Sequence, residues 1–160
     1  MNKYHMRRQD RQITDENEID EILFQGKYAV ISMCRDNEPY AVTLSYGYDK
    51  TNHALYFHTG PSGLKIDFLK SNPNVCVTVL EDQGYIMNEC AHAYRSVILF
   101  GNISFVEDLD EKIACMKVIL NHLEENPGIF EERISKSAEG LKHTAMLKLD
   151  ISEVSGKKGR

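Results

Sequence analysis

Apolar and polar residues alternate along six short segments of the chain, which is the pattern of strands with one face in a core. β-branched and aromatic residues are frequent in these segments and favour strands over helices. The segments are "YAVISMC", "YAVTLSY", "HALYFHT", "NVCVTVLE", "YRSVILFGNISFVED" and "HTAMLKLDISEVSGKK". The turn-prone pair Asp36-Asn37 joins the first two as a hairpin, and Gly101 marks a bend or bulge in the fifth. We therefore predict six antiparallel strands.

Three other segments have helical spacing. The first begins after Thr14 or Asp15, either of which can cap a helix, and ends at Gly26. The second is "SGLKIDFLKSN", and the third, "DLDEKIACMKVILNHLEEN", begins at Asp108 or Asp110. The short connections leave little room for crossovers between parallel strands. We expect a mainly β fold with peripheral α-helices, in which closure into a barrel would remove the exposed edges of the sheet.

At 160 residues the chain is long enough for one domain with its own core. The formal net charge of −5 argues against binding to nucleic acid or to an anionic membrane, although the short basic clusters "RRQDR" and "GKKGR" could act locally. The longest apolar runs are about six residues, far short of the roughly 20 that cross a bilayer, and polar residues follow Met1. We expect a cytoplasmic protein with no nucleic-acid or membrane partner.

The four cysteines lie far apart and form no C-x-x-C pair. Cys34, Cys76 and Cys115 have apolar neighbours in predicted strands or helices, so we expect them to be reduced core residues. Cys90 and His92 are close together in "NECAHAY", but two ligands without a second pair are weak evidence for zinc. No metal site is predicted.

The segment "FHTGPSGLK" connects a predicted strand to a predicted helix. Gly60 and Gly63 would let the backbone approach a ligand, Thr59 and Ser62 offer hydroxyl groups, and Lys65 supplies a positive charge. A helix N-terminus with these residues can bind a phosphate, although the spacing matches neither the P-loop nor the dinucleotide-binding motif. The segment is either a phosphate cradle or only a turn.

Several stretches of the chain resemble the FMN-binding split-barrel proteins related to pyridoxamine 5′-phosphate oxidase, and among them the Nim-type branch of nitroimidazole-resistance reductases. The stretches are "MRRQDRQITDENEIDEIL", "EPYAVTLSYGYD", "YFHTGPSGLKIDFLKSNPNVCVTV" and "YRSVILFGNISFVED". The resemblance implies a single domain over residues 1–160, with an N-terminal arm at 1–14 and a C-terminal tail at 155–160. It implies a six-stranded Greek-key split barrel that forms a homodimer, with FMN bound at each of two sites between the subunits.

The resemblance also implies which residues bind FMN. Residues 42–45 would run beside the isoalloxazine ring, His58 and Thr59 would close the ribityl end, and Ser62 and Lys65 would hold the phosphate. The full implied set is Val42, Thr43, Leu44, Ser45, His58, Thr59, Gly60, Ser62, Lys65, Arg95 and Ser96. The last two would reach the flavin of the partner subunit. His58 is the candidate catalytic residue, and the alternative is a strand-end histidine bonded to the backbone.

The function implied by the resemblance is that of a flavin-dependent oxidoreductase. It would use FMN to transfer hydride or electrons from NAD(P)H or another reductant to a small acceptor such as a nitroaromatic or a quinone. Oxidation of pyridoxamine phosphate is not expected. The oxidases of vitamin B6 metabolism hold their substrate with basic residues, but residues 40–46 contain no Arg or Lys and the tail "GKKGR" has no histidine.

Two other functions stay open at this point. One is a non-catalytic sensor that binds FMN or haem, and the other is a deazaflavin-dependent reductase with a related barrel. The potential axial ligands of haem are His58, His92, His122 and His143. Tyr46, Tyr48 and Tyr56 could line the substrate side of a flavin pocket, or they could fill the core of the barrel.

Overall fold

The computed structural model describes residues 6–129, 132, 134 and 138–159. Its strands are β1 (Gln12–Ile13), β2 (Tyr28–Arg35), β3 (Glu38–Ser45), β4 (Gly47–Asp49), β5 (Ala54–Thr59), β6 (Asn74–Ile86), β7 (Ala91–Val106) and β8 (Ala145–Lys158). Its helices in the described segments include a 3₁₀ turn at Gln9–Arg11, α1 (Glu16–Gln25), α2 (Leu64–Ser71), α3 (Leu109–Leu123) and α4 (Ala138–Lys142). None of the described helices is long and apolar enough to cross a membrane.

The strands form one sheet with the order β3-β2-β6-β7-β8-β5-β4, and β1 pairs with β8. Each pairing is antiparallel. The six longer strands are the six predicted from the sequence, which confirms the mainly β fold. β1 and β4 are additional and only 2 and 3 residues long.

The expected closure of the barrel is wrong. The path of paired strands ends at β3 on one side and at β4 on the other, and no ladder joins these ends among the described residues. α2 covers apolar surface at this gap, because its Phe68 is only 1% exposed and its ring lies 5.1 Å from that of Tyr40 in β3. Side-chain packing therefore takes the place of the missing ladder.

The main core lies between the inner face of the sheet and α1. In β2 the odd-even alternation is regular, with Ala29, Ile31 and Met33 buried and their neighbours exposed. Ile22 and Leu23 of α1 pack in the same cluster. Cys115 is buried where α3 packs on β5, as predicted, but Cys34 is exposed and Cys76 only half-buried. Both lie on the outer face of the sheet, so their predicted core position is wrong for Cys34 and partial for Cys76.

Both long helices begin at a predicted cap. The carboxylate of Asp15 accepts a hydrogen bond of 2.9 Å from the backbone N–H of Asn17, and that of Asp108 accepts one of 3.0 Å from the N–H of Glu111. Thr14 and Asp110, the alternatives, are not the capping residues. Each aspartate fixes where its helix starts.

A buried tyrosine and a partly buried histidine contact the C-terminal end of α1. Tyr46 is fully buried, and its hydroxyl donates a hydrogen bond of 2.7 Å to the carbonyl oxygen of Leu23. His122 of α3 lies with its Nε2 atom 2.6 Å from the carbonyl oxygen of Gly26, and its ring is 4.8 Å from that of Tyr46. These contacts satisfy carbonyl groups that a helix end leaves unpaired.

The three tyrosines therefore belong to the core rather than to a substrate pocket. Tyr48 and Tyr56 are each 7% exposed. The hydroxyl of Tyr48 donates a hydrogen bond of 2.6 Å to Asp20 Oδ1, and burial together with this carboxylate raises the pKa of the phenol. The interpretation of these residues as barrel core is confirmed.

The C-terminal segment expected as a tail at 155–160 is instead largely a strand. Residues 155–158 belong to β8, which pairs with β7 and also with β1 in the N-terminal arm. Residues 1–5 and 160 of the expected arm and tail lie outside the described part of the chain. Pairing with β7 and β1 on its two sides orders this segment, in agreement with the closing strand predicted through Lys158.

Gly101 interrupts the β7–β8 ladder, as predicted. The register shifts between Phe100 and Gly101, and a Cβ at this position would collide with the backbone carbonyl of Asp150. We expect Gly101→Ala to lower the free energy of unfolding by about 2 kcal/mol, because backbone atoms cannot move aside as side chains do. Urea unfolding followed by circular dichroism measures the change in the free energy of unfolding.

Gly140→Ala is the matched control for that variant. Gly140 lies in α4, and a Cβ there would have no neighbour within 4 Å. Alanine favours a helix over glycine, so this change should leave stability unchanged or slightly raised. Equal losses in both variants would show that close packing at Gly101 is not the cause.

His122 makes the stability depend on pH. Burial lowers its pKa below the ordinary 6.5, so the folded state holds fewer protons on this ring than the unfolded state below that pH. The contribution of His122 to the free energy of unfolding is complete above pH 6.5 and is lost as the pH falls toward the lowered pKa. We expect the difference in unfolding free energy between the wild type and His122→Gln to shrink from pH 7.5 to pH 5.5. A constant difference would contradict this.

Candidate cofactor site

The segment between β5 and α2 forms an open loop with a basic side chain beside it. β5 ends at Thr59, and α2 begins after Gly63, whose φ of +116° is a left-handed conformation that glycine adopts without strain. Lys65 lies in the first turn of α2, and its Nζ donates a hydrogen bond of 2.9 Å to Thr59 Oγ1. No carboxylate pairs with this ammonium group within the described segments. Its charge is therefore available to an anion.

This loop has the space and the donors that a phosphate group requires. A Cβ added at Gly60 or Gly63 would meet no atom within 4 Å. No side chain caps α2, so its first backbone N–H groups can bind an anion, which the helix dipole also favours. Ser62 is exposed in the same loop. The residues present therefore fit a phosphate, with Lys65 as the counter-charge.

β3, the strand expected beside the isoalloxazine ring, is an end strand of the sheet. Its only strand partner in the described structure is β2, so its other edge presents backbone N–H and C=O groups that can pair with a ligand. Thr43 is exposed, and the rest of the segment 42–45 is partly buried. The contact between Tyr40 and Phe68 joins this strand to α2. This contact links β3 to the helix that follows the loop 59–65.

His58 immediately precedes Thr59, the last residue of β5. Tyr56 and Phe57 before it are both buried, whereas the imidazole of His58 is exposed. The ring has no hydrogen-bond partner among the described residues, which leaves both nitrogens open to a ligand.

The guanidinium group of Arg95 forms hydrogen bonds with carboxylates of its own chain. Its guanidinium donates hydrogen bonds to Glu81 of β6 at 3.0 and 2.7 Å and to Glu21 of α1 at 2.8 Å. These hydrogen bonds raise the pKa of Arg95 and lower that of Glu21. Only 15% of the arginine side chain is exposed. In this arrangement Arg95 fastens α1 to the sheet.

Ser96 and Arg95 point to opposite faces of β7, as neighbours in a strand must. Ser96 pairs with Lys157, near the end of β8, whereas Thr59 pairs with Ala145 at its beginning. These positions are roughly 40 Å apart along the strand at 3.3 Å per residue. Within one chain, Arg95 and Ser96 therefore lie far from the phosphate loop, the segment 59–65.

The sequence did not predict a pair formed by His92 of β7 and Asp82 of β6. His92 Nε2 lies 2.8 Å from Asp82 Oδ1, and with Leu80 and Tyr94 the two residues line a cavity of about 320 Å³. The sequence had suggested His92 with Cys90, but Cys90 is an exposed turn residue with a φ of +49°. Within the described residues no group of three or more His, Cys, Asp or Glu side chains could hold a metal. Strand pairing brings His92 to Asp82, which spacing along the chain does not reveal.

Residues 15–158 match the profile of the pyridoxamine 5′-phosphate oxidase family. The chain belongs to this family. In a curated protein of Rhizobium meliloti, RA0666, the matched region is 35% identical over 60 residues and spans 38% of each chain. The chain thus matches well under half the length of that relative.

Solved structures of other proteins have the same fold. A candidate 5-nitroimidazole antibiotic resistance protein of Bacteroides thetaiotaomicron is 27% identical, with a TM-score of 0.78 over 92% of this chain and 86% of the other. The flavocytochrome Anf3 of Azotobacter vinelandii is 21% identical, with a TM-score of 0.82 over 97% and 72%. An FAD-binding protein of Mesorhizobium loti is 24% identical, with a TM-score of 0.67 over 94% and 96%. The fold is therefore the open split barrel of this family.

Proposed function

We propose that the chain is an FMN-binding reductase of small acceptors, such as nitroaromatics or quinones, and that NAD(P)H is its electron donor. The observation that carries the proposal is the open loop from Thr59 to Lys65, where glycines, an uncapped helix and an ammonium group with no carboxylate partner among the described residues meet. The similarity to the B. thetaiotaomicron resistance protein supports the choice of acceptor. Bound FMN would supply hydride or electron transfer.

The residues around the loop have separate tasks in this proposal. Lys65, Thr59 and Ser62, with the backbone of Gly60, hold the phosphate. The free edge of β3 at 42–45 hydrogen-bonds the polar edge of the ring and fixes its orientation. His58 faces the bound ligand and holds or donates a proton at an imidazole nitrogen.

The acceptor is not pyridoxamine phosphate. Residues 40–46 contribute no positive charge to hold a second phosphate at the ring, and the Tyr46 and Tyr48 side chains are turned into the core. A substrate phosphate would therefore lack a counter-charge beside β3. An uncharged aromatic acceptor needs none.

The complete site, we propose, lies between the two subunits of a homodimer. The outer face of β2 and β6 exposes apolar side chains, with Tyr28 at 65%, Val30 at 40% and Leu80 at 60%. Such a face favours association with a second copy. In a two-fold dimer Ser96 of one subunit can approach the phosphate loop of the other, which it cannot reach in its own chain.

Haem binding is the second candidate function. The fold shared with the flavocytochrome Anf3 favours it, and His58 has an unoccupied imidazole that could serve as an axial ligand. Absorption spectra distinguish the cofactors, because haem has a Soret band near the violet and flavin has paired blue and near-ultraviolet bands.

FMN binding tests the main proposal. We expect Lys65→Ala to weaken FMN binding roughly tenfold to hundredfold, because a charge-assisted hydrogen bond to the phosphate is lost. Lys70→Ala is the matched control, since Lys70 is exposed at the other end of α2. Titration of flavin fluorescence with each purified protein measures the dissociation constants.

Two results would contradict the proposal. Equal FMN affinity in the Lys65 and Lys70 variants would mean that the loop does not hold the phosphate. Failure of the wild type to retain FMN after reconstitution and desalting would transfer the assignment to haem or deazaflavin. If FMN binds but NAD(P)H does not reduce a nitroaromatic or quinone, the protein is a flavin-binding protein and not this reductase.

The dimer has a test of its own. We expect Leu80→Glu to convert the dimer to monomer and to weaken FMN binding, because a buried carboxylate would oppose association. As a control, Ile129→Glu introduces the same charge at an apolar residue that is 65% exposed and follows α3 in the sequence. Light scattering coupled to gel filtration reports the mass. A dimeric Leu80→Glu protein would exclude this face as the interface.

A further inference from the structure

Lys112 is the one charged side chain that is buried among the described residues. It is the fourth residue of α3, and only 7% of it is exposed. Its Nζ atom donates a hydrogen bond of 3.1 Å to the carbonyl oxygen of Thr144 and one of 3.5 Å to that of Leu141. No carboxylate pairs with this ammonium group within the described part of the chain. Two backbone dipoles therefore stabilise the buried charge.

The two carbonyl groups belong to the connection between α4 and β8. α4 ends at Lys142, and β8 begins at Ala145. The carbonyl oxygen of Leu141 also accepts a hydrogen bond of 3.2 Å from the backbone N–H of Thr144. Carbonyl groups at the end of a helix lack partners within the helix, and a lysine side chain can bind them. Lys112 thus joins the start of β8 to α3.

Packing alone does not account for a lysine at this position. Lys112, Cys115 and Ile119 are the buried residues of α3, and their spacing places them on one face of the helix. Taking an ammonium group out of water carries a free-energy cost, which an apolar side chain of similar length would avoid. Lysine adds directional hydrogen bonds to two defined oxygen atoms. These bonds fix where the connection between α4 and β8 lies.

The start of β8 is the strand partner of the residue that opens the phosphate loop. Ala145 lies opposite Thr59 in the last pair of the β5–β8 ladder. β4 pairs only with residues 54–56 of β5, so β8 is the only strand paired with Thr59 in the described structure. Thr59 Oγ1 in turn accepts the hydrogen bond from Lys65. A displacement of Ala145 would therefore move Thr59 and the position of the Lys65 ammonium group.

We propose that Lys112 is a positioning residue for the phosphate loop. By binding the carbonyl oxygens of Leu141 and Thr144, it holds the start of β8 against the end of β5. This pairing places Thr59 and Lys65 where both can bind one phosphate group. The role rests on the proposed function, since it assumes that the loop holds the phosphate of FMN. The link from Lys112 to Thr59 is a property of the chain without FMN.

Hydrogen exchange in the FMN-free protein tests the link from Lys112 to Thr59. Lys112→Met keeps the length of the side chain and removes its donors. We expect it to speed exchange of the protected amides at 58–59 and 145–146 roughly tenfold, because the start of β8 loses hydrogen bonds to a charged group. The other end of the ladder, where Ala54 lies opposite Asp150, should exchange as in the wild type.

Two further variants serve as controls. Lys117→Met removes the same charge from an exposed position of α3 and should leave exchange unchanged. Lys112→Arg should restore slow exchange, because a guanidinium group can donate to both carbonyl oxygens. Circular dichroism checks that each variant folds. If Lys112→Met does not fold, Lys112→Gln takes its place, since its amide keeps a donor for one of the two oxygens.

Binding of FMN and of riboflavin distinguishes positioning from a general loss of stability. Riboflavin lacks the phosphate, so we expect Lys112→Met to weaken FMN binding roughly tenfold and to leave riboflavin binding unchanged. Titration of flavin fluorescence measures both dissociation constants. Equal weakening of the two flavins would overturn the proposal.

The exchange data can also overturn it. Unchanged exchange at 58–59 and 145–146 would mean that Lys112 does not hold the start of β8. Equal acceleration along the whole β5–β8 ladder would mean that Lys112 stabilises the fold without positioning the loop. Failure of the wild type to bind FMN would contradict the proposed reductase, and the exchange data would still decide whether Lys112 positions Thr59.

Discussion

The backbone ladder of β8 is the interaction on which the rest of the structure depends. This strand pairs with β7 along most of its length, with β5 over its first residues and with β1 near its end. Its hydrogen bonds thereby join the ends of the chain to the middle of the sheet. The register shift at Gly101 allows the long β7–β8 pair to bend around the core, which a straight ladder of this length would not do.

Local chemistry made much of the fold predictable. Asp15 and Asp108 cap their helices because a short carboxylate can reach the N–H groups two or three residues ahead. Asp36 and Asn37 adopt positive φ values in the hairpin between β2 and β3, as their side chains permit. Cys34 is exposed although apolar residues precede it in the sequence. Side chains alternate between the two faces of a strand, so the burial of Ala29 places Cys34 on the outer face.

The site was predictable only where its groups are close in sequence. The donors of the phosphate loop lie between Thr59 and Lys65, so a strand–turn–helix pattern identifies them together. Arg95 and Ser96 are adjacent in sequence, yet one fastens α1 and the other faces outward. Strand register decides that difference. The pairing of β1 with β8 depends on contacts across the whole chain.

The β1–β8 ladder has a consequence for the order of folding. Pairing Gln12 with Lys157 closes a loop that contains nearly all of the sequence, so forming it first would carry a large entropic cost. Once β7 and β8 have paired, the two partners are already held near each other and that cost falls. The N-terminal arm should therefore dock late and open early, with faster amide hydrogen exchange at Ile13 than in the central strands. A protein can in this way remain folded while its arm detaches, and the arm then serves as the most labile edge of a stable sheet.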